Sequence, residues 1–386
     1  MQSDAKFREA PIAVPEALLS DLRGRLTRIR WPEALGQGWE LGTDPDYLRA
    51  LMDYWSNGFD WRVREAQLEA LLPSYRTRVA GLELHFALRP GKGPNPFPLL
   101  LLHGWPGSHF EFSKVAGPLA DPAAHGADPL DAFDLVIPSL PGHGFSDAPA
   151  DPYFNADDGA LLMRELMVDV LGHSRFGAQG GDRGAIVAVS LAKQHPENVA
   201  GIHINMATGI AAPAESRNAE ESRWLEDQAR WFQEEAGYSA IQSTRPQTLA
   251  YGLSDSPVGL AAWIVEKWKV WSDCRGDIEN CFSKDELLTN VMLYWVTGTI
   301  HASMRWYAAH RRRPPAAMRP ERIEVPTAIA DFPKETVRVP RSAAERKYNL
   351  VQWSEMARGG HFAAMEQPEA LVEDIRRFFG GIRAGG

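Results

Sequence analysis

Four short runs read as apolar strands: "FPLLLL" (97–102), "FDLVIP" (133–138), "RFGAQG" (175–180) and "VAGIHI" (199–204). A strand with one wet face alternates apolar and polar residues, and these runs do not alternate. Both of their faces must be covered, which is the condition of a parallel sheet with helices on either side. The segments between them fit. "DDGALLMRELMVDVLG" has helical periodicity, and "AIVAVSLA" begins a second helix directly after the third run. Upstream, "YRTRVAGLELHFALRPG" alternates about Gly81 and predicts a β-hairpin. From about Ala211 to about Arg319 the pattern becomes helical and rich in aromatics, including Trp224, Trp231, Trp263, Trp268, Trp271, Trp295 and Trp306. Strand and helix then alternate again through "VPTAIADF", "YNLVQWSEM" and "PEALVEDIRRFF". A helical insertion between parallel strands lies over their carboxyl ends, where such sheets bind ligands.

Composition narrows the function. The 386 residues carry a formal charge of −9, and 24% of them are charged. A nucleic-acid or anionic-membrane surface needs clustered positive charge. The basic run "HRRRPP" (310–315) is short and reads as a solvated helix end. Two cysteines, Cys274 and Cys281, offer neither zinc-ligand spacing nor a disulfide framework, so a reducing compartment is the default. No run reaches the roughly 18 apolar residues of a membrane span, and a cytoplasmic location follows as the expectation. At the N-terminus, Leu18, Leu19, Leu22, Leu26 and Ile29 recur at helical spacing, and a second helix is predicted over Asp46 to Ser56. Such an apolar face must pack on something, so this segment is a strap over the main body.

The stretch "GGDRG" (180–184) has the small-x-nucleophile-x-small spacing of the strand-to-helix elbow in α/β-hydrolases, with Asp182 where Ser usually stands. Alone, an Asp among glycines reads as a turn residue. As a nucleophile it selects its electrophile. A carboxylate that attacks an sp³ carbon makes an alkyl ester, and water can cleave that ester at the enzyme's own carbonyl. A serine attacking the same carbon would leave an ether that water cannot readily remove. Epoxides and haloalkanes are therefore the substrates a carboxylate nucleophile suits.

Its companions lie at the other strand ends. "LLLHGWPGS" occupies the place of the second oxyanion donor, so the backbone N–H of Trp105 would pair with that of Arg183. His103 reads as a shaper of that loop. His361, in "ARGGHFAAMEQPEAL", stands where the general base belongs in the chain order nucleophile, acid, histidine. Both Asp331 and Glu335, in "VPTAIADFPKETV", follow a strand and qualify as the acid that orients it; the chemistry leaves them even.

Over nearly its whole length the chain resembles the microsomal-type epoxide hydrolase family. The resemblance rests on "LRGRLTRIRWP", "SNGFDWRVREAQLEALLPSYRTRVAGLELHF", "HGWPGS", "PSLPGHGFSDAP", "GGDRG", "STRPQTLAYGLSDSPVGLAAWIVEKW" and "RGGHFAAMEQPEAL". It implies that Glu335 is the triad acid and that two cap tyrosines, Tyr238 and Tyr307, act on the ring oxygen. Without it, each tyrosine reads as one more aromatic in a packed helical layer. Phenols suit that role, because an alkoxide is too basic to leave unaided and a phenol of pKa near 10 stays protonated at neutral pH. One departure stands out: this chain has Arg183 where the family usually carries an aromatic, often Trp.

The fold expected is an α/β-hydrolase: a mostly parallel sheet with helices on both faces, a helical cap inserted after the sixth strand, and an N-terminal strap. The domains expected are the strap over 1–75, the core over 76–210 and 319–386, and the cap over 211–318. The function expected is cofactor- and metal-independent hydrolysis of an epoxide, bulky and apolar or aromatic, to a vicinal diol through an ester on Asp182. Its partners would be that epoxide and water, with no nucleic acid or membrane, and a homodimer is the assembly to consider. The alternatives are a haloalkane or haloacid dehalogenase using the same ester, and a non-catalytic binding protein on the same fold.

Overall fold

The computed structural model describes residues 6–36 and 38–384; of the strap expected over 1–75, residues 1–5 and 37 lie outside them. Among the described residues, nine strands build one sheet: β1 (Phe7–Glu9), β2 (Ser74–Val79), β3 (Leu82–Arg89), β4 (Phe97–Leu102), β5 (Phe133–Pro138), β6 (Phe176–Gly180), β7 (Val199–Ile204), β8 (Ile323–Asp331) and β9 (Tyr348–Glu355). Their order is β1-β2-β3-β5-β4-β6-β7-β8-β9. The first three strands and β5 pair antiparallel, and every pairing from β5 through β4 to β9 is parallel.

The apolar runs serve two cores at once. Along β4, Leu99 and Leu101 join one hydrophobic cluster while Leu100 and Leu102 join the other. On β5, Leu135 and Ile137 likewise oppose Val136. Alternate side chains point to opposite faces of a strand, so a strand feeding two cores has no polar face to show.

Three helices precede the sheet's second strand: α1 (Glu16–Leu26), α2 (Pro45–Asn57) and α3 (Trp61–Leu71). The Asp44 side chain caps α2 by accepting from the N–H groups of Asp46 and Tyr47, with Pro45 in the first turn. The strands are linked by α4 (Ala116–Ala120), α5 (Ala156–Glu165) and α6 (Asp182–Gln194). Between β7 and β8 run α7 (Ala219–Glu234), α8 (Gly237–Thr244), α9 (Pro246–Asp255), α10 (Pro257–Val270), α11 (Lys284–Thr297) and α12 (Ile300–Arg312). The chain closes with α13 (Arg341–Lys347), α14 (Ala363–Glu366) and α15 (Pro368–Ala384).

Two expectations need correcting. The helical insert follows the seventh strand, not the sixth, because β1 pairs antiparallel with β2 through Phe7, Arg8 and Glu9. Three residues are too few to show a period. The N-terminal helices also do not lie on the main body alone. Arg25 pairs with Asp255 at 2.7 Å, the Thr43 hydroxyl donates to the Ala262 carbonyl at 2.8 Å, and the Tyr54 hydroxyl donates to Asp285 at 2.9 Å. The strap thus also braces the helical insert. Both cysteines are free thiols.

Candidate active site

Trp105, Asp182, Glu335 and His361 each follow the carboxyl end of a strand. The chain leaves β6 through Gly180 and Gly181 and turns at once into α6, with Asp182 as the first helical residue. The turn is so tight that a side chain at Gly184 would sit 1.8 Å from the Leu102 carbonyl oxygen. Asp182 has a φ of 45°, in the left-handed region. A non-glycine residue there is strained, and the sharp turn lifts its carboxylate off the sheet.

The loop after β4 meets that carboxylate: the Trp105 N–H donates to Asp182 Oδ1 at 2.8 Å. The Arg183 N–H belongs to the first turn of α6, where amides have no partner within the helix. The insert fixes the loop's shape. Asn290 on α11 donates to the Pro106 carbonyl at 2.7 Å and accepts from the Ser108 hydroxyl at 2.9 Å, and the Tyr294 hydroxyl donates to the Gly107 carbonyl at 2.7 Å. His103 accepts from the Leu140 N–H at 3.1 Å, and burial lowers its pKa to about 4. It is a neutral acceptor that shapes the loop.

His361 Nε2 stands 3.8 Å from Asp182 Oδ2, and Nδ1 lies 2.8 Å from Glu335 Oε1. Its main-chain N–H donates to the Trp271 carbonyl at 2.9 Å, and the Trp271 ring meets the imidazole edge-on at 5.0 Å. Burial works against its protonated form, but Glu335 and then Asp182 outweigh it, and the pKa rises to about 9. Asp331 is engaged elsewhere, by Arg338 at 2.5 Å. Glu335 reaches the imidazole because a bridge between Lys334 and Gly360 draws the two loops together.

Tyr238 on α8 and Tyr307 on α12 come from the other side. The Tyr238 ring stacks on Trp105 at 5.4 Å with 3° between planes, and Tyr307 meets Trp105 edge-on at 5.7 Å. The two phenol rings are 5.7 Å apart. Burial raises both phenol pKa values above the ordinary 10, so both keep their protons at neutral pH. Of the residues singled out from the sequence, Trp105, Arg183, His361, Glu335, Tyr238 and Tyr307 gather around Asp182, and Asp331 does not.

Three further residues escaped the sequence reading. A cavity of about 20 Å³ behind Asp182 is lined by Glu111, Gln179, Asn205 and His361 among others. That is room for one water. Gln179 donates to Asn205 at 3.1 Å across it. Burial pushes Glu111 up to about 8, so it is largely protonated at neutral pH. The one signal available was an acid between two phenylalanines in "HFEF". Among the described residues no cluster of His, Cys, Asp or Glu is arranged to hold a metal ion, and no helix is long and apolar enough to cross a membrane.

Comparison with known proteins places this geometry. Residues 7–112 match the family model for the epoxide hydrolase N terminus, and residues 98–248 match that for the alpha/beta hydrolase fold. A putative epoxide hydrolase of Stigmatella aurantiaca is 42% identical over 377 residues, covering 97% of this chain and 84% of that protein. Epoxide hydrolase 1 of Sus scrofa is 36% identical, covering 98% and 89%. Among solved structures, juvenile hormone epoxide hydrolase from the silkworm Bombyx mori superposes with a TM-score of 0.87 at 31% identity, covering 99% of this chain and 96% of that one. The epoxide hydrolase of Aspergillus niger gives a TM-score of 0.85 at 30% identity, covering 98% of each.

Proposed function

The chain belongs to the epoxide hydrolase family, and from that premise we propose that it hydrolyses its epoxide in two steps through a covalent ester on Asp182. The Asp182 carboxylate attacks a ring carbon, the ring C–O bond breaks toward oxygen, and the phenols of Tyr238 and Tyr307 supply the proton. Water then attacks the ester at the Asp182 carbonyl carbon, with the Trp105 and Arg183 N–H groups holding the oxyanion. The product is a vicinal diol. Residues 211–318 act as the cap and carry the phenols, over a core formed by 76–210 and 319–386. The aromatic wall of Trp105, Tyr238, Tyr307 and Trp271 suits a bulky apolar or aromatic epoxide.

The single observation that carries this reading is that Asp182 has an imidazole on one side and two half-buried phenols on the other. A halide leaves without a proton, so the phenol pair favours epoxide opening over dehalogenation. The proton balance is consistent as well. In the free enzyme the Asp182 anion helps to keep His361 protonated. Alkylation removes that charge, and the imidazole becomes a better base at the step that needs one. The one-water cavity between His361 and Glu111 lies where the second step would draw its water.

His361→Gln tests the order of events. Ring opening uses Asp182 and the phenols but not the imidazole, so the variant exposed to an aryl epoxide gains the substrate's mass and keeps it. A folded, substrate-binding variant that gains no mass contradicts the scheme.

A further inference from the structure

The two phenols are not equivalent, and what separates them is Arg183. Its side chain is only 4% exposed. Among the described residues it makes no ion pair, Nε is buried without a partner, and its hydrogen-bonding influence falls on the Tyr307 hydroxyl. Its guanidinium lies 3.9 Å from the centroid of the Tyr307 ring and 5.9 Å from that of Trp306. Tyr238 also has a cation on its face, Lys267 at 4.9 Å, but that ammonium is paired with Glu266 at 2.5 Å. One phenol thus faces a neutralised cation and the other a bare one.

A buried cation without a counterion is costly, and an apolar residue would fill the same space more cheaply. Two nearby histidines do not offset it. His143 and His310 both feel the Arg183 charge, and burial first, with that charge, holds both neutral. The Tyr307 and Trp306 ring faces offset part of that cost, and negative charge appearing in front of the guanidinium during the reaction offsets more.

We propose that Arg183 is a positioning residue that makes Tyr307 the proton donor of the pair, by steadying the negative charge left on that phenol as the epoxide opens. The inference rests on the two-step reading above. In the first step an Asp182 oxygen bonds to the ring carbon, and the ring C–O pair moves onto oxygen. That oxygen takes the Tyr307 hydroxyl proton, leaving a phenolate under Arg183. His361, no longer held protonated by the Asp182 anion, releases the proton that restores the phenol. Tyr238 orients the oxygen and keeps its own proton. The electrostatics agree: burial raises the Tyr307 pKa, and Arg183 is the strongest influence pulling it back. On Tyr238, by contrast, Arg183 is the weakest of the named influences.

The test is a double-mutant cycle read by single-turnover alkylation with styrene oxide, following the Asp182 ester by quenched mass measurement. Arg183→Met slows alkylation about 10- to 30-fold, the scale of a desolvated cation–π interaction. In the Tyr307→Phe background the same change has no further effect, whereas in the Tyr238→Phe background the loss persists. Across ring-substituted styrene oxides, the loss grows as the released alkoxide becomes more basic, a trend that a packing defect does not produce. Arg183→Lys, which keeps the charge, recovers more of the rate than Arg183→Gln, and this pair carries the test if the methionine variant does not fold. Equal losses in the Tyr307→Phe and wild-type backgrounds overturn the proposal. So does a loss confined to epoxides bearing a carboxylate, since Arg183 would then be a substrate anchor. A wild type that forms no Asp182 ester with any epoxide fails the two-step reading itself. A wild-type alkylation rate in Arg183→Met fails this proposal alone.

Discussion

At the base, burial and two carboxylates pull in opposite directions, and the carboxylates win. Glu335 is fixed by the Thr336 N–H and hydroxyl, at 2.6 and 2.9 Å, and holds His361 Nδ1 in turn. The His361 pKa of about 9 includes the pull of the Asp182 charge; in the proposed ester that charge is gone and the value falls. The two half-reactions therefore respond differently to pH. On the two-step reading alkylation does not use the imidazole, and the phenols keep their protons across neutrality, so its single-turnover rate stays flat from about pH 6 to 8. Ester hydrolysis needs neutral imidazole, so its rate rises with pH and levels off through an apparent pKa below about 9. Rapid-quench measurement of both rates checks this. Parallel profiles would mean that His361 acts in both steps. Much of this arrangement was legible in residues: the elbow spacing pointed to Asp182, and the twin glycines pointed to His361. The choice between Asp331 and Glu335 was not, because it turns on which side chain Arg338 occupies, a contact the sequence does not display.

The helical insert has two ends, and one pair of residues ties both. Lys347 at the end of α13 donates to the carbonyls of Gly209, Ala317 and Arg319 at 3.1, 2.5 and 3.0 Å. Next to it, the Tyr348 hydroxyl donates to the Thr208 carbonyl at 2.9 Å and accepts from the Thr208 N–H at 3.1 Å. Residues 208–209 lead into the insert and 317–319 lead out. Burial lowers the Lys347 pKa to about 8, and the three carbonyls are its only acceptors among the described residues. Lys347→Met strands those carbonyls. It should lower stability by about 2–3 kcal/mol, the scale of losing hydrogen bonds to a buried charge, and raise amide exchange at 208–210 and 316–319. Unchanged exchange there, with lowered stability, would make Lys347 a packing residue and not a tie. Elements like these are where sequence reading is uneven. The apolar strands and the amphipathic α2 declare themselves by period, and α2 runs from Pro45 to Asn57 against the 46–56 expected. The three-residue β1 depends on partners more than 60 residues away, and the ties at the insert's ends on partners 28 to 140 residues away.

Taken whole, the molecule brings Trp105, Asp182, Glu335 and His361 from four strand ends and Tyr238 and Tyr307 from two insert helices into one site. The strap braces the insert through Arg25, Thr43 and Tyr54, and the insert in turn holds the Trp105 loop through Asn290 and Tyr294. Global fold and helical insertion could be read from the alternation of strand and helix. The convergence of Tyr238 and Tyr307 could not, since periodicity gives a helix's buried face but not what that face meets. Nor could the cavity formed by Glu111, Gln179 and Asn205, whose members come from separate elements. In the proposed ester route the diol's new oxygen comes from the Asp182 carboxylate, and water attacks the Asp182 carbonyl. This route is tested most directly by one turnover in ¹⁸O water with enzyme in excess, followed by mass analysis of the peptide bearing Asp182 and of the diol. The ester route predicts ¹⁸O in the Asp182 carboxylate and an unlabelled diol. Label in the diol with none in Asp182 would mean direct attack of water on the epoxide and would contradict the account.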